Sequence, residues 1–365
     1  MPSLDEATVH AEAPRSSILR IPENSERKES EIFWVTLQPF LASCGYTLRP
    51  RYQADWAPSW QSNPKPRKFG VFYEDEHIIH YGHWRIIDAT RISDGCKVVL
   101  KVVQRFLPDD FELEIIQFLS SAELKDDPRN RAIPLLDIIQ PSGENWVLIV
   151  MPMFHPFASP NFHCIIISES LEFMHSLNIA HRDISINNVL MDHRCVIPNG
   201  FHFAMDDSHD GVTRGLCTEL RCRVAPVNYY YIDFEFDQRF PEGIEKATVS
   251  GIVGQRVPEM KISDDVPYNP FKADVYQLGK TMLMIFEDYT GLGNFKGLLK
   301  KMVSRNPDKR PTASEALSLL DALVSRMSKS SMHWRIWNTP YLDPTFPPIG
   351  TRLMYYLFPS RRALA

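Results

Sequence analysis

The sequence predicts an α+β fold, because a block of strand-like segments is followed by a block of helical segments. Between residues 67 and 155, short runs of β-branched and aromatic residues recur, and Asp94-Gly95 is a tight-turn signal between two of them. After residue 156, apolar residues recur at three- and four-residue steps, as on one face of an amphipathic helix. The 365 residues are 44% hydrophobic and 23% charged, which is typical of a chain that buries a core.

Two segments precede the strand block. Residues 1–31 are polar and aperiodic, which predicts a disordered tail. Residues 32–66 begin with apolar residues at helical spacing between Phe33 and Leu41, and Gly45 marks the predicted end of that helix. The remainder of this segment is rich in tryptophan, proline and arginine, so we expect an irregular extension that packs its aromatic side chains.

The strand block, residues 67–155, is predicted to contain three strands, a helix and two further strands. The first three strand-like runs are KFGVFYED, RIIDATRI and CKVVLKVV. The run DDFELEIIQFLSS has Phe111, Ile115 and Phe118 on one stripe, which predicts a helix that buries this stripe. AIPLLDII and NWVLIVMPM follow as strands, separated by the turn PSGEN.

The helical block, residues 156–327, ends with a helix that a capping box from Thr312 to Glu315 opens. Residues 328–365 have no clear period and are predicted to form a C-terminal tail.

Composition argues against several classes of protein. The net charge of −5 gives no electrostatic reason to expect a nucleic-acid partner. No apolar stretch approaches the roughly 18–20 residues that a membrane span needs, so no membrane partner is expected. Six cysteines without a C-x-x-C pair predict free thiols in a reducing compartment. We therefore expect an intracellular protein, cytoplasmic or nuclear.

Three polar signals lie far apart in the sequence. The first signal is His181-Arg182-Asp183 with Asn188 five residues later, and it comes just after an amphipathic helix. The other two are Lys101 and Asp233, each at the end of a strand-like run. Phosphoryl transfer needs a fixed cation, oxygen ligands for Mg²⁺ and a carboxylate beside the attacking hydroxyl. These residues supply each of those groups.

The same residues resemble the protein-kinase signature set H-R-D-x-x-x-x-N, D-F-G and V-A-I-K. Later motifs resemble further kinase motifs, in matching order, over residues 67–327: Val257-Pro258-Glu259, Asp274 to Gly279, and Asn306 to Thr312 with Arg310. The wording of H-R-D-I-S and the extension from Phe33 to Trp60 are similar to fungal (basidiomycete-type) kinase-domain proteins. The resemblance implies two lobes, strand-rich at 67–155 and helical at 156–327.

The resemblance also implies an activity, which is the transfer of phosphate from ATP, with Mg²⁺, to Ser/Thr hydroxyls of a protein substrate. It makes Asp183 the catalytic base, and it makes Glu114, rather than the competing Glu112, the ion-pair partner of Lys101. The other implied roles are phosphate binding by Lys101, Mg²⁺ binding by Asn188 and Asp233, and an adenine-binding hinge at Met151 and Met153. The implied structural residues are His181, Arg182, Glu259, Asp274 and Arg310, with Phe118 stacked towards Phe234 and His181.

Several features depart from the kinase pattern. Only Gly82 remains of the glycine-rich loop that should cover the phosphates, and Glu235 replaces the glycine of D-F-G. The stretch between Asn188 and Asp233 is longer than the kinase pattern has there, which predicts an insertion at about 192–228. Ser185 stands where Ser/Thr kinases usually carry a lysine.

Two other functions therefore stay open. One is a pseudokinase that binds or scaffolds without catalysis, and the other is a small-molecule phosphotransferase of the choline or aminoglycoside type. Polar residues of the insertion and of the segment after it are expected to be ordinary loop residues rather than metal ligands or phosphorylation sites: Cys217, Cys222, His202, His209, Thr248 and Ser250.

Overall fold

A computed structural model of the chain describes most of residues 25–328. The described ranges are 25–64, 70–79, 84–105, 111–156, 164–219, 221–224, 226–261, 266–287 and 291–328. The chain divides into two compact units, Met1–Trp84 with Phe201–Leu216, and Arg85–Gly200 with Cys217–Ala365. The predicted glycine-poor loop, including Gly82, and the C-terminal tail from residue 329 lie outside the described residues.

The first unit begins with helix α1 (Glu29–Ser43), strand β1 (Tyr46–Leu48) and the short helix α2 (Ser59–Ser62). The predicted helix in the extension is therefore confirmed, although it begins inside the segment predicted to be a tail. Its end after Ser43 is also confirmed, because Gly45 adopts a φ of 90° that favours glycine.

A buried arginine organises the first unit. The Arg51 side chain is fully buried, and its guanidinium donates to both carboxylate oxygens of Glu31 at 2.5 and 2.9 Å. It also lies 4.7 Å from the ring centre of Trp56, whose indole N–H donates to Asp75 at 2.9 Å. The guanidinium charge is thus paired with a carboxylate, and its face lies against an aromatic ring. An arginine can be buried under these conditions.

A second chain segment, Phe201–Leu216, completes the first unit. The Phe72 N–H donates to the Val212 carbonyl at 2.7 Å, and His77 Nε2 lies 2.7 Å from the Gly211 carbonyl oxygen. This segment belongs to the predicted insertion. The predicted strand KFGVFYED is wrong over its described part, which has an isolated bridge at Val71 and a 3₁₀ turn at Glu74–Glu76.

The second unit contains an antiparallel sheet in the order β2, β3, β5, β4. Its strands are β2 (Ile86–Arg91), β3 (Lys97–Gln104), β4 (Asp137–Ile139) and β5 (Trp146–Pro152), and helix α3 (Glu112–Leu119) lies between β3 and β4 in sequence. The predicted turn at Asp94-Gly95 is confirmed, with Gly95 at a φ of 72°. Helix and sheet confirm the α+β prediction.

Helices and short strands make up the remainder of the second unit. The helices are α4 (Cys164–Ser176), α5 (Arg221–Val224), α6 (Pro270–Glu287), α7 (Lys296–Met302) and α8 (Ala313–Ser325). The short strands are β6 (His155–Pro156), β7 (Ile179–Ala180), β8 (Val189–Met191), β9 (Tyr229–Tyr231) and β10 (Gln238–Arg239). β8 pairs with β9, so the residue before β8 and the residues after β9 lie at one end of the pair. No helix in the described part of the chain is both long and apolar enough to cross a bilayer.

Candidate active site

Lys101 contacts two carboxylates at once. It lies in β3, between Ile86 and Ile149 of the neighbouring strands. Its Nζ donates to Glu112 Oε1 at 2.5 Å and to Asp233 Oδ1 at 2.6 Å. Burial would lower the pKa of Lys101, but these two carboxylates outweigh it and raise that pKa above its usual value. The ammonium is therefore a fixed positive charge.

The predicted partner of Lys101 was wrong, because Glu112 and not Glu114 forms the ion pair. Glu112 is buried, whereas Glu114 is exposed. Two residues along a helix correspond to a turn of roughly 200°, so the two side chains lie on opposite faces. The buried face of α3 accordingly consists of Glu112, Ile115, Ile116 and Leu119.

The predicted position of Phe118 was also wrong for the same reason. With Glu112 on the inner face, the residue one turn later is Ile116, which is completely buried. Phe118 is only partly buried, and the Arg239 guanidinium lies 4.4 Å from its ring centre. The apolar stripe predicted for α3 therefore differs from the observed buried face by about one residue position around the helix.

Asp183 and Asn188 contact each other within one loop. The Asn188 amide nitrogen donates to Asp183 Oδ2 at 2.8 Å and to the Asp183 carbonyl oxygen at 2.9 Å. This orientation leaves the Asn188 amide oxygen as the group able to bind a cation. The Ile232 N–H donates to the Asn188 carbonyl at 3.1 Å, which brings Asn188 beside the strand end that carries Asp233. Two oxygen ligands suited to Mg²⁺ thus share this end of the β8–β9 pair.

Asp274 of α6 anchors the start of the loop that carries Asp183 and Asn188. Asp274 is fully buried and accepts hydrogen bonds from the backbone N–H groups of His181 at 2.9 Å and Arg182 at 2.7 Å. His175 Nε2 lies 3.0 Å from the same carboxylate. Arg182 and Asp233 both have positive φ, at 65° and 66°. Strained backbone of this kind occurs where the surroundings hold a functional residue in place.

His181 and Asp237 form a buried pair that the sequence analysis missed. His181 Nδ1 lies 2.7 Å from Asp237 Oδ1, and both side chains are essentially inaccessible. Burial alone would lower the pKa of His181, but the Asp237 carboxylate outweighs it and raises the pKa to about 9. Tyr231 and Phe234 pack against the imidazole at ring-centre distances of 5.3 and 5.7 Å. The only sequence signal was an acidic residue ending the aromatic run from Tyr231 to Asp237.

Glu259 and Arg310, two of the structural residues that the resemblance implied, form a bidentate ion pair. The two guanidinium nitrogens donate to the two carboxylate oxygens at 2.7 Å each. Arg310 is buried and also donates to the carbonyls of Ser304 and Lys272. The pair fixes the end of the segment that runs from Asp233 to Glu259.

The two expected hinge methionines lie on either side of Pro152, the last residue of β5. Met151 and Met153 are both buried, and the Met153 N–H lies 3.4 Å from the Lys97 carbonyl. Glu235 has an ordinary negative-φ backbone, so this conformation does not need the missing glycine. Its carboxylate lies 3.8 Å from Arg85, and both side chains are largely solvated.

The polar residues of the predicted insertion form no metal site within the described residues. No group of three or more His, Cys, Asp or Glu side chains suited to a metal is found in that part of the chain. His202 instead contacts Glu74 at 3.2 Å, and Cys217 is exposed. The side chain of Cys222 lies outside what the structure describes. Thr248 and Ser250 are exposed.

Comparison of the chain with protein-family models and with curated proteins found no match in either set.

Proposed function

We propose that this protein is a kinase that transfers the γ-phosphate of ATP to Ser or Thr hydroxyls of a protein. The observation that carries the proposal is the convergence of Lys101 and Asp233, whose Nζ and Oδ1 atoms are 2.6 Å apart despite a separation of 132 residues. Asp183 and Asn188 adjoin the same strand end. Phosphoryl transfer depends chiefly on positioning and charge, so this set of groups suits it.

Each residue has a distinct role in this proposal. Lys101 binds the phosphates when its bond to Asp233 opens, and Glu112 keeps its ammonium aligned. Asp183 accepts the proton of the attacking hydroxyl. Asn188 and Asp233 fit Mg²⁺ as hard oxygen donors, and the ion would neutralise charge on the phosphates. His181, Asp274 and the other buried residues hold the loop and do not contact substrate.

The experiment compares Asp183→Asn with Asp321→Asn, a matched change at an exposed carboxylate of α8. Both variants and the wild type are incubated with γ-labelled ATP, Mg²⁺ or Mn²⁺, and a mixture of protein substrates. Because a general base contributes about 10²–10⁴-fold, Asp183→Asn is expected to lose at least that factor while its circular dichroism spectrum is kept. Asp321→Asn is expected to keep wild-type transfer. A wild type that transfers no phosphate with either metal would refute the proposal.

A pseudokinase, which is a catalytically weak or inactive binding or scaffold module, is the second candidate. It is favoured by the Lys101–Asp233 bond, which occupies both groups in the present conformation, and by the single glycine in the expected phosphate loop. Thermal unfolding with ATP and Mg²⁺ discriminates, because a ligand at 100 times its Kd stabilises by about 2.7 kcal/mol. No shift at millimolar ATP would favour the module.

The small-molecule phosphotransferase is less well supported. By the resemblance stated above, the motifs at Glu259 and Arg310 belong to protein kinases, and their ion pair supports that assignment. Labelling of a metabolite library, with no labelling of any protein, would reverse the order of the two functions.

A further inference from the structure

Gln277 is a fully buried amide on α6, one turn after Asp274. Its Nε2 donates to the carbonyl of Arg182 at 2.8 Å and to the carbonyl of Gln255 at 2.7 Å. Its Oε1 accepts the N–H of Ile184 at 3.0 Å. One side chain therefore binds the residues on both sides of Asp183 and, in addition, a segment more than seventy residues later in sequence.

That later segment touches the Asp183 carboxylate directly. The Gln255 N–H donates to Asp183 Oδ1 at 2.7 Å. Gly254 has a φ of +56°, and a Cβ at this position would lie 2.5 Å from Asp183 Cγ. Only glycine fits such an approach, so the backbone of this segment is packed against the carboxylate.

The two oxygens of Asp183 are consequently held from two sides. Oδ1 accepts from Gln255, and Oδ2 accepts from Asn188 at 2.8 Å. Rotation of the carboxylate would break both bonds, so its plane is fixed. Asp183 is nevertheless only partly buried, and each oxygen retains acceptor capacity for a hydroxyl group.

We propose that Gln277 is a positioning residue that sets the Asp183 carboxylate through Gln255. This inference rests on the proposed kinase function. Gln277 touches neither the acceptor nor the nucleotide in this scheme. It holds the carbonyl of Gln255, which keeps the N–H of the same residue on Asp183, and it simultaneously grips the loop at Arg182 and Ile184.

The chemistry of the amide is specific, because Gln277 must donate twice and accept once. Glutamate would present oxygen to the carbonyls of Arg182 and Gln255, and methionine would fill the space without any hydrogen bond. Thr281 offers a matched control one turn later on α6. It is buried and donates to the Ile184 carbonyl at 3.3 Å, but it forms no hydrogen bond with Gln255. Thr281→Val therefore perturbs the same loop without releasing the later segment.

The experiment measures phosphotransfer and hydrogen exchange in Gln277→Met, Gln277→Glu and Thr281→Val of the full chain. A displacement of about 1 Å at a reacting group costs about 100-fold in rate. We expect both Gln277 variants to lower kcat by about 10- to 100-fold and to change the KM for ATP less than twofold. Hydrogen exchange at the Gln255 amide should accelerate by at least tenfold in both. Thr281→Val should change kcat and this exchange rate less than twofold.

Two results would overturn the inference. One is unchanged exchange at Gln255 in a folded Gln277→Met, and the other is an equal loss of kcat in Thr281→Val. Failure of the proposed function looks different, because the wild type would then transfer no phosphate. In that case the catalytic role falls with the proposed function, while accelerated exchange at Gln255 would still establish the link from Gln277 to this segment. If a Gln277 variant fails to fold, Gln255→Pro provides a second test, because it removes the Gln255 N–H that donates to Asp183 and Gln255 is not a core residue. This variant must also lower kcat.

Discussion

Glu112 and Glu114 permit a paired test of the ion pair at Lys101, because the same change can be made on opposite faces of α3. Glu112→Gln removes a buried charge that lies 2.5 Å from the Lys101 ammonium. Glu114→Gln removes an exposed charge two residues away. Both changes keep the size of the side chain and its ability to accept a hydrogen bond.

The structure sets the expected magnitude. The side chains of Lys101 and Glu112 are 10% and 5% exposed, so solvent screens the pair little. Removing one partner of a buried pair costs about 3–5 kcal/mol when the other is left alone. Here Asp233 also contacts Lys101 at 2.6 Å and keeps it paired. We therefore expect Glu112→Gln to lower the free energy of unfolding by about 1–3 kcal/mol, and Glu114→Gln by less than about 0.5 kcal/mol.

Urea unfolding, followed by circular dichroism, measures both values, and steady-state kinetics with γ-labelled ATP gives the KM for ATP. Glu112→Gln should raise this KM, since no carboxylate then aligns the ammonium once its bond to Asp233 opens. Equal unfolding free energies for the two variants would refute the assignment of Glu112. So would a larger loss in Glu114→Gln.

Two further predictions concern the buried pairs of the second unit. The raised pKa of His181 means that its stabilisation is fully present below about pH 6.5 and is lost as pH rises through about 9. Urea titrations from pH 6 to 9.5 should therefore show falling stability in the wild type. Burial raises the pKa of Asp237 to about 7, so the pair is only partly charged at pH 6, and we expect Asp237→Asn to be less stable there by about 1–3 kcal/mol and to have a shallower slope. An unchanged slope would contradict the pairing. Arg310→Lys cannot reproduce the two parallel bonds to Glu259, so we expect a loss of about 1–3 kcal/mol, measured in the same way, and no loss would mean that the fork is not needed.

Local patterns in the sequence predicted the elements whose structure is determined locally. The turn at Asp94-Gly95 depends on a positive φ that glycine supplies, and it is found where expected. The antiparallel sheet also precedes helices α4, α6 and α8, as the change in hydrophobic period predicts. Lys101 could be located because it lies in a strand-like run, although the run was expected to end there and β3 continues to Gln104. Its partner could not be predicted.

The errors have a common physical cause, which is that tertiary contacts decide what is buried. An amphipathic pattern treats glutamate as a surface residue, so the apolar stripe of α3 was aligned on Phe111, Ile115 and Phe118. The ion pair with Lys101 instead makes Glu112 an inward-facing residue and rotates the buried face. Asp237 was missed for the same reason, because nothing in the sequence near it indicates that His181 is its partner.

In the first unit, helix α1 was predicted but the segment from Val71 to Glu76 was not. Its 3₁₀ turn at Glu74–Glu76 follows residues whose composition favours strand. The partners that decide its conformation come from Gly211 and Val212, far along the chain. A pattern read within a window of a dozen residues contains no information on such a contact.

The pairing of distant segments in the first unit has a consequence for biosynthesis. His77 and Gly211 are 134 residues apart, and neither the Phe72–Val212 bond nor the His77–Gly211 contact can form before the ribosome has made residue 212. At about 5–20 residues per second, Phe72 and His77 wait about 7–27 s for their partners. During this delay Phe72 lacks the segment that later packs beside it. Nascent chains halted near residue 200 should therefore recruit chaperones that chains released past residue 216 no longer need.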